Sequence, residues 1–294
     1  MYNVLNMTEH SVFLPAYAKI NLHLRVLGKR KDGYHEIESV FQRISIADSL
    51  LVRLVPSGFS VHCPNFELPV ENTLRRAFEL FKATTGFSGG VNVSLVKGIP
   101  VGAGLGGGSS DAVELLKALN ILTGAGLSLS EMQPLALQIG SDCPFFLQEP
   151  VAVVSGRGEV FSPIDARLDC LGVLIFPDVH SSSAEAYSLL DKRNRCHGNC
   201  FKKSPDGFLA EQYKLDFSKW CFVNDFEEVL FEKHSEVLQA KSALLSAGAD
   251  FALMSGSGSS VFGLFPLSKS ELVKKACEEL GQIWKFCKPF VFTV

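Results

Sequence analysis

The densest chemical signal in the chain is a glycine run. Residues 102–111 read Gly102, Ala103, Gly104, Leu105, Gly106, Gly107, Gly108, Ser109, Ser110 and Asp111, so five of the seven positions from 102 to 108 are glycine. Such a loop exposes backbone N–H groups, admits positive φ and lets a ligand approach the main chain. Alternating apolar residues precede it at 91–96, and helical spacing follows from Ser109. A helix N-terminus at that point favours an anion, above all phosphate. Ser109 and Ser110 can cap the helix or donate to the anion. A tightly packed turn is the competing reading; five glycines running into a helix favour phosphate.

Three common phosphate loops do not fit. Gly102, Gly104 and Gly107 match the dinucleotide spacing, but that motif needs a second parallel strand ending in an acidic residue ~20 positions on. Here residues 127–131, LSLSE, open a helix instead. No lysine follows the glycines, as the nucleoside-triphosphatase loop requires, and the protein-kinase H-R-D and D-F-G are absent.

Asp142 sits between Gly140 and the apolar run CPFFL at 143–147, which predicts at least partial burial. Buried carboxylates are rare unless paired or functional; a linker-turn Asp is the plain alternative. Lys19 and Asn21 share the polar face of an alternating segment. An inward lysine near a buried carboxylate would keep it ionised and stabilise charge on a transferring phosphoryl group. The commoner role of such a lysine is to blunt an edge strand. Tyr34 and His35 follow the turn-forming KRKDG at 29–33 and could stack on and hydrogen-bond a base, although surface packing accounts for them equally.

These residues need elements to hold them. Period-two alternation predicts strands at 13–26, 38–46, 49–55, 91–96, 151–154 and 171–176. Helical spacing predicts helices over 72–85, with Asn72 as N-cap, from 109 to Gly124, and over 130–139. A charged, weakly periodic stretch at 191–207 reads as an exposed loop. The last ninety residues read as a helix near 224–246, strands at 251–254 and 261–265 around a Gly/Ser loop at 255–260, a helix over 268–280 and a strand near 288–293. That order is α+β, with antiparallel neighbours.

The chain's 294 residues suggest two domains or one large one. With 47% hydrophobic and 20% charged residues it can bury a sizeable core. The balance of 28 Lys+Arg against 31 Asp+Glu argues against a general nucleic-acid binder, yet leaves room for a local phosphate site. There are eight cysteines and no C-x-x-C pair. With no secretory pattern at the N-terminus and no apolar run near the ~20 residues of a membrane span, the expectation is a cytoplasmic protein with reduced thiols. Cys196, His197 and Cys200 offer three metal ligands in a polar stretch, short of the four that structural zinc takes.

Three segments now stand together: PAYAKINL at 15–22, PVGAGLGGGSSD at 100–111 and MSGSGSSVF at 254–262. In order and spacing they resemble the three motifs of the GHMP small-molecule kinases, the group of galactokinase, homoserine kinase, mevalonate kinase and phosphomevalonate kinase. The segments GKRKDGYHE at 28–36 and GSDCPFF at 140–146 resemble more narrowly a branch that acts on a cytidine diphosphate-linked alcohol. The resemblance implies a two-domain α+β fold. Residues 1–160 would form an ATP-binding and catalytic domain like the second domain of ribosomal protein S5, and residues 161–294 a ferredoxin-like domain, with the active site in the cleft between them.

The resemblance also implies ATP with Mg²⁺. The backbone of Pro100, Val101, Gly102, Ala103, Gly104, Leu105, Gly106, Gly107, Gly108, Ser109 and Ser110 would surround the phosphates, and Asn72 would meet adenine. Asp142 matches the general base and Lys19 the lysine that polarises the acceptor hydroxyl. Asn21, Tyr34, His35, Ser183 and Tyr187 match contacts to the acceptor substrate, the aromatic ones at cytosine. The metal ligands are open, with Ser109 and Ser110 as candidates. The implied reaction is ATP-dependent phosphorylation of the 2-hydroxyl of a cytidine diphosphate-linked methylerythritol, in the non-mevalonate route to isoprenoids. Another small alcohol, such as homoserine or a mevalonate derivative, is the alternative, and a non-catalytic nucleotide-binding regulator a more distant one. The implied partners are small molecules, with no nucleic acid, membrane or obligate protein partner. Asp111 departs from the pattern, standing where many members carry Asn; Ser141 and Cys143 flank the acid where Ala and Val are usual.

Overall fold

A computed structural model describes residues 6–8, 10–148, 150–197 and 203–293. The chain divides into two compact units. The first comprises residues 1–18, 46–101 and 106–149, and the second residues 19–45, 102–105 and 150–294.

In the first unit a short strand, β1 (Asn6–Thr8), pairs antiparallel with the start of β2 (Ser11–Lys29). The second half of β3 (His35–Val55) runs antiparallel to β5 (Gly90–Val96), with Ser49 opposite Val96 and Val55 opposite Gly90. The short β4 (Phe59–His62) lies parallel to β5 on its other side. Three helices pack together: α1 (Thr73–Thr85), α2 (Gly107–Thr123) and α3 (Leu129–Ile139). A 3-10 turn, Cys143–Leu147, packs on α2 and α3. Helix α1 buries Leu74, Ala77, Phe78 and Phe81, an i, i+3, i+4, i+7 stripe. Its N-cap is Asn72, whose Oδ1 accepts from the Arg75 N–H at 3.0 Å. Helix α3 starts on a capping box in which Ser128 and Glu131 satisfy each other's backbone N–H groups.

In the second unit, β6 (Val151–Ser155) pairs antiparallel with Ser39–Gln42 of β3 and with β7 (Val160–Pro163). Four further strands are β8 (Cys170–Phe176), β9 (Phe251–Met254), β10 (Val261–Pro266) and β11 (Phe286–Val291). They form an antiparallel sheet in the order β11-β8-β10-β9. Helices α7 (Ser235–Ser246) and α8 (Ser270–Leu280) pack on this sheet. Val173 and Ile175 from β8 meet Val237, Ala240 and Leu244 from α7 and Val273, Ala276 and Leu280 from α8 in one apolar core. Helix α6 (Glu227–Lys233) joins α7, and α5 (Phe208–Lys214) precedes them. The α+β class and the antiparallel C-terminal sheet are those expected from the sequence.

Three local expectations change. The two strands at 38–46 and 49–55 are one 21-residue strand, β3. Asp48 is an unfavourable strand residue, but its carboxylate is occupied by the N–H groups of Gly98 and Ile99, at 2.6 and 2.8 Å. The stretch expected as a loop from 191 begins as helix, because α4 (Ser183–His197) runs through it. Ala186 and Leu190 anchor that helix in the core, and its charged side chains find partners, with Arg193 reaching Glu228 and Glu232. The single helix near 224–246 is two, α6 and α7, broken at His234, whose φ of −133° and ψ of 86° are not helical. Strands β4 and β7 are only four residues each, too short for their pattern to announce them. Cys200 lies outside the described residues, and the side chains of Cys196 and His197 are likewise not described.

Candidate active site

The polar face of β2 carries Lys19 and Asn21, both buried. Apolar residues enforce this direction, since Ile20, Leu22 and Leu24 point the other way, into the core. Lys19 Nζ donates to Asn21 Oδ1 at 2.6 Å and lies 4.5 Å from the Phe41 ring centroid. Asn21 Nδ2 donates to Ser39 Oγ at 3.1 Å, on β3. The Asn21 N–H donates to Ser255 Oγ at 3.2 Å, and that hydroxyl donates onward to the Gly104 carbonyl at 2.9 Å. The Lys19 N–H donates to the Leu105 carbonyl at 2.9 Å. Within the second unit, therefore, the first motif, part of the glycine loop and the Gly/Ser loop after β9 are joined by direct hydrogen bonds.

The glycines in this part are required by close approach. Gly104 has φ of +76°, and a Cβ there would lie 2.2 Å from the Ser255 carbonyl oxygen. The Gly/Ser loop also reaches α4, with Ser257 Oγ 2.8 Å from Ser183 Oγ. Ser181 and Ser260 have buried hydroxyls without a hydrogen-bond partner.

In the first unit the glycine run continues into α2. Gly106 is its left-handed N-cap, with φ of +69°, and no side chain caps the helix. The N–H groups of the first turn thus have no side-chain cap, the arrangement suited to an anion. Ser110 Oγ is buried and makes no hydrogen bond. Thr73 Oγ1 donates to the Gly108 carbonyl at 2.8 Å, tying the start of α1 to the start of α2. Asn72 caps α1 and also donates through Nδ2 to the Pro69 carbonyl at 2.8 Å. It borders a cavity of about 420 Å³ lined by Phe59, Cys63, Phe66, Val70 and Arg75 among others.

Asp142 stands at the N-terminal end of the 3-10 turn and is half-buried. Its neighbour Cys143 is wholly buried, and burial pushes that thiol up to about 12, so the sulfur is packing material.

The second unit holds the aromatic candidates. His35 and Tyr187 stack with centroids 4.4 Å apart and planes 14° apart. His35 Nε2 lies 2.8 Å from Asp191 Oδ1 on α4. Tyr187 is braced edge-on by Phe226 at 4.9 Å. Tyr34 is not part of this stack; it is half-exposed, and the Arg157 guanidinium covers its ring at 4.5 Å. Asp191 was missed in the sequence because a carboxylate in a charged stretch gives no sign that a histidine 156 positions earlier meets it.

The glycine-headed helix, the buried lysine–asparagine pair and the Gly/Ser loop lie in the three segments that resemble the motifs of the GHMP small-molecule kinases. Family models agree: "GHMP kinases N terminal domain" matches residues 72–149 and "GHMP kinases C terminal" residues 203–283. ATP is the phosphate donor of that class. A 4-diphosphocytidyl-2-C-methyl-D-erythritol kinase from Treponema pallidum (strain Nichols) is 42% identical over 94% of this chain and 97% of its own length. One from Thermotoga maritima is 40% identical over 90% of this chain and 96% of its own. A crystal structure of 4-(cytidine 5'-diphospho)-2C-methyl-D-erythritol kinase superposes with a TM-score of 0.80 at 32% identity, covering 96% of this chain and 99% of that one. The chain belongs to the 4-diphosphocytidyl-2-C-methyl-D-erythritol kinase family.

Proposed function

We propose that the chain transfers the γ-phosphoryl group of ATP to the 2-hydroxyl of 4-diphosphocytidyl-2-C-methyl-D-erythritol, giving the 2-phosphate and ADP, in the non-mevalonate route to isoprenoid precursors. The observation that carries this reading is the wiring of Lys19 and Asn21 to Gly104 through Ser255, which joins all three kinase motifs. Phosphoryl transfer asks mainly for positioning and charge neutralisation. Asp142 takes the proton as the hydroxyl oxygen bonds to phosphorus and the bond to the β-phosphate oxygen breaks. Lys19, oriented by Asn21, polarises that hydroxyl. The free N–H groups at the head of α2 and the backbone from Pro100 to Ser110 hold the phosphates, and adenine lies by Asn72 in the cavity beside it. His35 and Tyr187 read and stack on cytosine, with Asp191 orienting the imidazole; Asn21, Tyr34 and Ser183 complete the acceptor contacts.

Magnesium fits as an ion carried by the nucleotide. Among the described residues no group of three or more His, Cys, Asp or Glu side chains could hold a metal, whereas the orphan Ser110 hydroxyl, with Ser109 beside it, offers oxygen donors at the phosphate end. When bound, the ion would supply neutralisation of phosphate charge. The reading places a boundary near residue 160 between an ATP-binding and catalytic domain and a C-terminal domain, and the two family matches fall on either side of it, while by compactness residues 19–45 and 102–105 group with 150–294. A cytoplasmic location is proposed with it, and among the described residues no helix is long and apolar enough to cross a membrane.

The test is a coupled ADP-release assay over a panel of alcohols. The expected outcome is turnover of the cytidine diphosphate-linked alcohol and little of homoserine or mevalonate derivatives. Equal turnover of an acceptor that lacks the base would overturn the assignment.

A further inference from the structure

The first unit buries a second charged cluster, made of Asp48, Lys97 and Asp111, the last at the end of the glycine motif and given no role by the resemblance. Asp48 is fully buried in β3. Its Oδ1 accepts from Gly98 N–H at 2.6 Å and Ile99 N–H at 2.8 Å. Its other oxygen accepts from Lys97 Nζ. Lys97 Nζ also donates to Asp111 Oδ2 at 2.8 Å, in α2. Asp111 Oδ1 is buried without a partner. The ammonium lies against the first turn of α2, since a Cβ on Gly107 would be 3.4 Å from Nζ. Gly98 sits as close on the other side, where a Cβ would be 2.3 Å from the Ala47 carbonyl oxygen.

We propose that Asp48, Lys97 and Asp111 are positioning residues for the nucleotide: they clamp the segment that enters the glycine loop to β3 at one end and to the head of α2 at the other. This rests on the reading of residues 100–110 as the ATP loop. Three features support it. The cluster grips backbone N–H groups at 98 and 99, directly before Pro100. Lys97 bridges two elements whose sequence positions lie 49 and 14 residues away, so it fixes their separation. Charged hydrogen bonds shielded from water are the strong kind, and they hold geometry better than neutral ones. None of the three side chains needs to touch ATP; they set where the loop's own N–H groups point.

The experiment uses the full chain, with ATP titrated at saturating acceptor and, separately, a fluorescent ATP analogue titrated without acceptor. Lys97→Met and Asp111→Ala are expected to raise KM for ATP and the analogue's Kd together, on the order of tenfold, with kcat and the acceptor KM within about threefold. Asp111→Asn, which keeps an oxygen for Lys97, is expected to restore most of that loss. Asp48→Asn supplies a second readout by hydrogen exchange, through faster exchange at Gly98 and Ile99. Unchanged ATP KM and analogue Kd in both Lys97→Met and Asp111→Ala would overturn the proposal, as would a loss confined to kcat. Because the analogue reports binding without turnover, a wild-type chain that binds it yet phosphorylates no alcohol refutes the proposed reaction and leaves the clamp tested; a chain that does not bind it refutes both.

Discussion

Two lysines with buried side chains lie at or beside the kinase motifs, and they are held in different ways. Lys97 sits between the carboxylates of Asp48 and Asp111. Lys19 donates to the neutral amide of Asn21 and rests over the face of Phe41. An ammonium gripped by two carboxylates has fixed its charge inside the fold. Lys19 is aimed by Asn21, whose own N–H is tied to the Gly/Ser loop through Ser255. The two lysines therefore belong to different networks, Lys97 to one inside the first unit and Lys19 to one inside the second, and substitutions can test whether their roles differ as well.

The largest effect is expected at the base. Asp142→Ala should lower kcat about a thousandfold while circular dichroism and melting temperature stay near wild type; normal turnover would remove Asp142 from the mechanism. Next, Lys19→Met should lower kcat about a hundredfold. The comparison breaks if Lys19→Met instead moves only the ATP KM, in the manner expected of Lys97→Met. Third, Tyr187→Ala should raise the KM for the cytidine-bearing acceptor roughly tenfold or more, the worth of one stacked base, with the ATP KM unchanged.

A smaller effect concerns pH. Burial, with Asp48 beside it, pushes Asp111 up to about 7 despite the Lys97 ammonium. The unfolded chain's aspartates titrate near ~3.9. A carboxyl raised in the folded state contributes stability that is complete below the unfolded value and is lost as pH rises through about 7. Asp111→Asn should remove that slope, so its melting temperature should gain on wild type between pH 5 and pH 8. A parallel pair of stability curves would contradict it. The smallest effect is at α3, far from either lysine in role: Ser128→Ala removes the capping box and should cost about 1 kcal/mol with kinetics unchanged.

Much of this was legible in the sequence for physical reasons. Strand β2 declares itself because apolar and polar residues alternate along it, and α1 and α3 declare themselves through helical spacing, α1 also through its cap Asn72, whereas the capping box of Ser128 and Glu131 passed unread. The glycine loop was legible because positive φ and close backbone approach leave few other residues possible at Gly104 and Gly106. What stayed hidden depends on partners distant in the chain. Asp48 looks like a strand breaker until Gly98 and Ile99 satisfy it 50 residues later. Asp191 looks like one charge in a polar stretch until His35 meets it, and the helix that carries it shows mainly through Ala186 and Leu190. Tyr34, adjacent to His35 in sequence, faces Arg157 while His35 faces Tyr187, because successive residues entering a strand point to opposite sides.

The hydroxyl of Ser255 has a consequence for how such chains can diverge. It accepts from Asn21 across 234 positions of sequence and donates to Gly104 across 151. Loss of that hydroxyl leaves two backbone groups, the Asn21 N–H and the Gly104 carbonyl, without their partner, and any side chain at 104 would meet the Ser255 carbonyl oxygen. Related genes recombined between 104 and 255 should therefore yield working proteins mainly when serine and glycine arrive together, so that these two motifs are inherited as a single character.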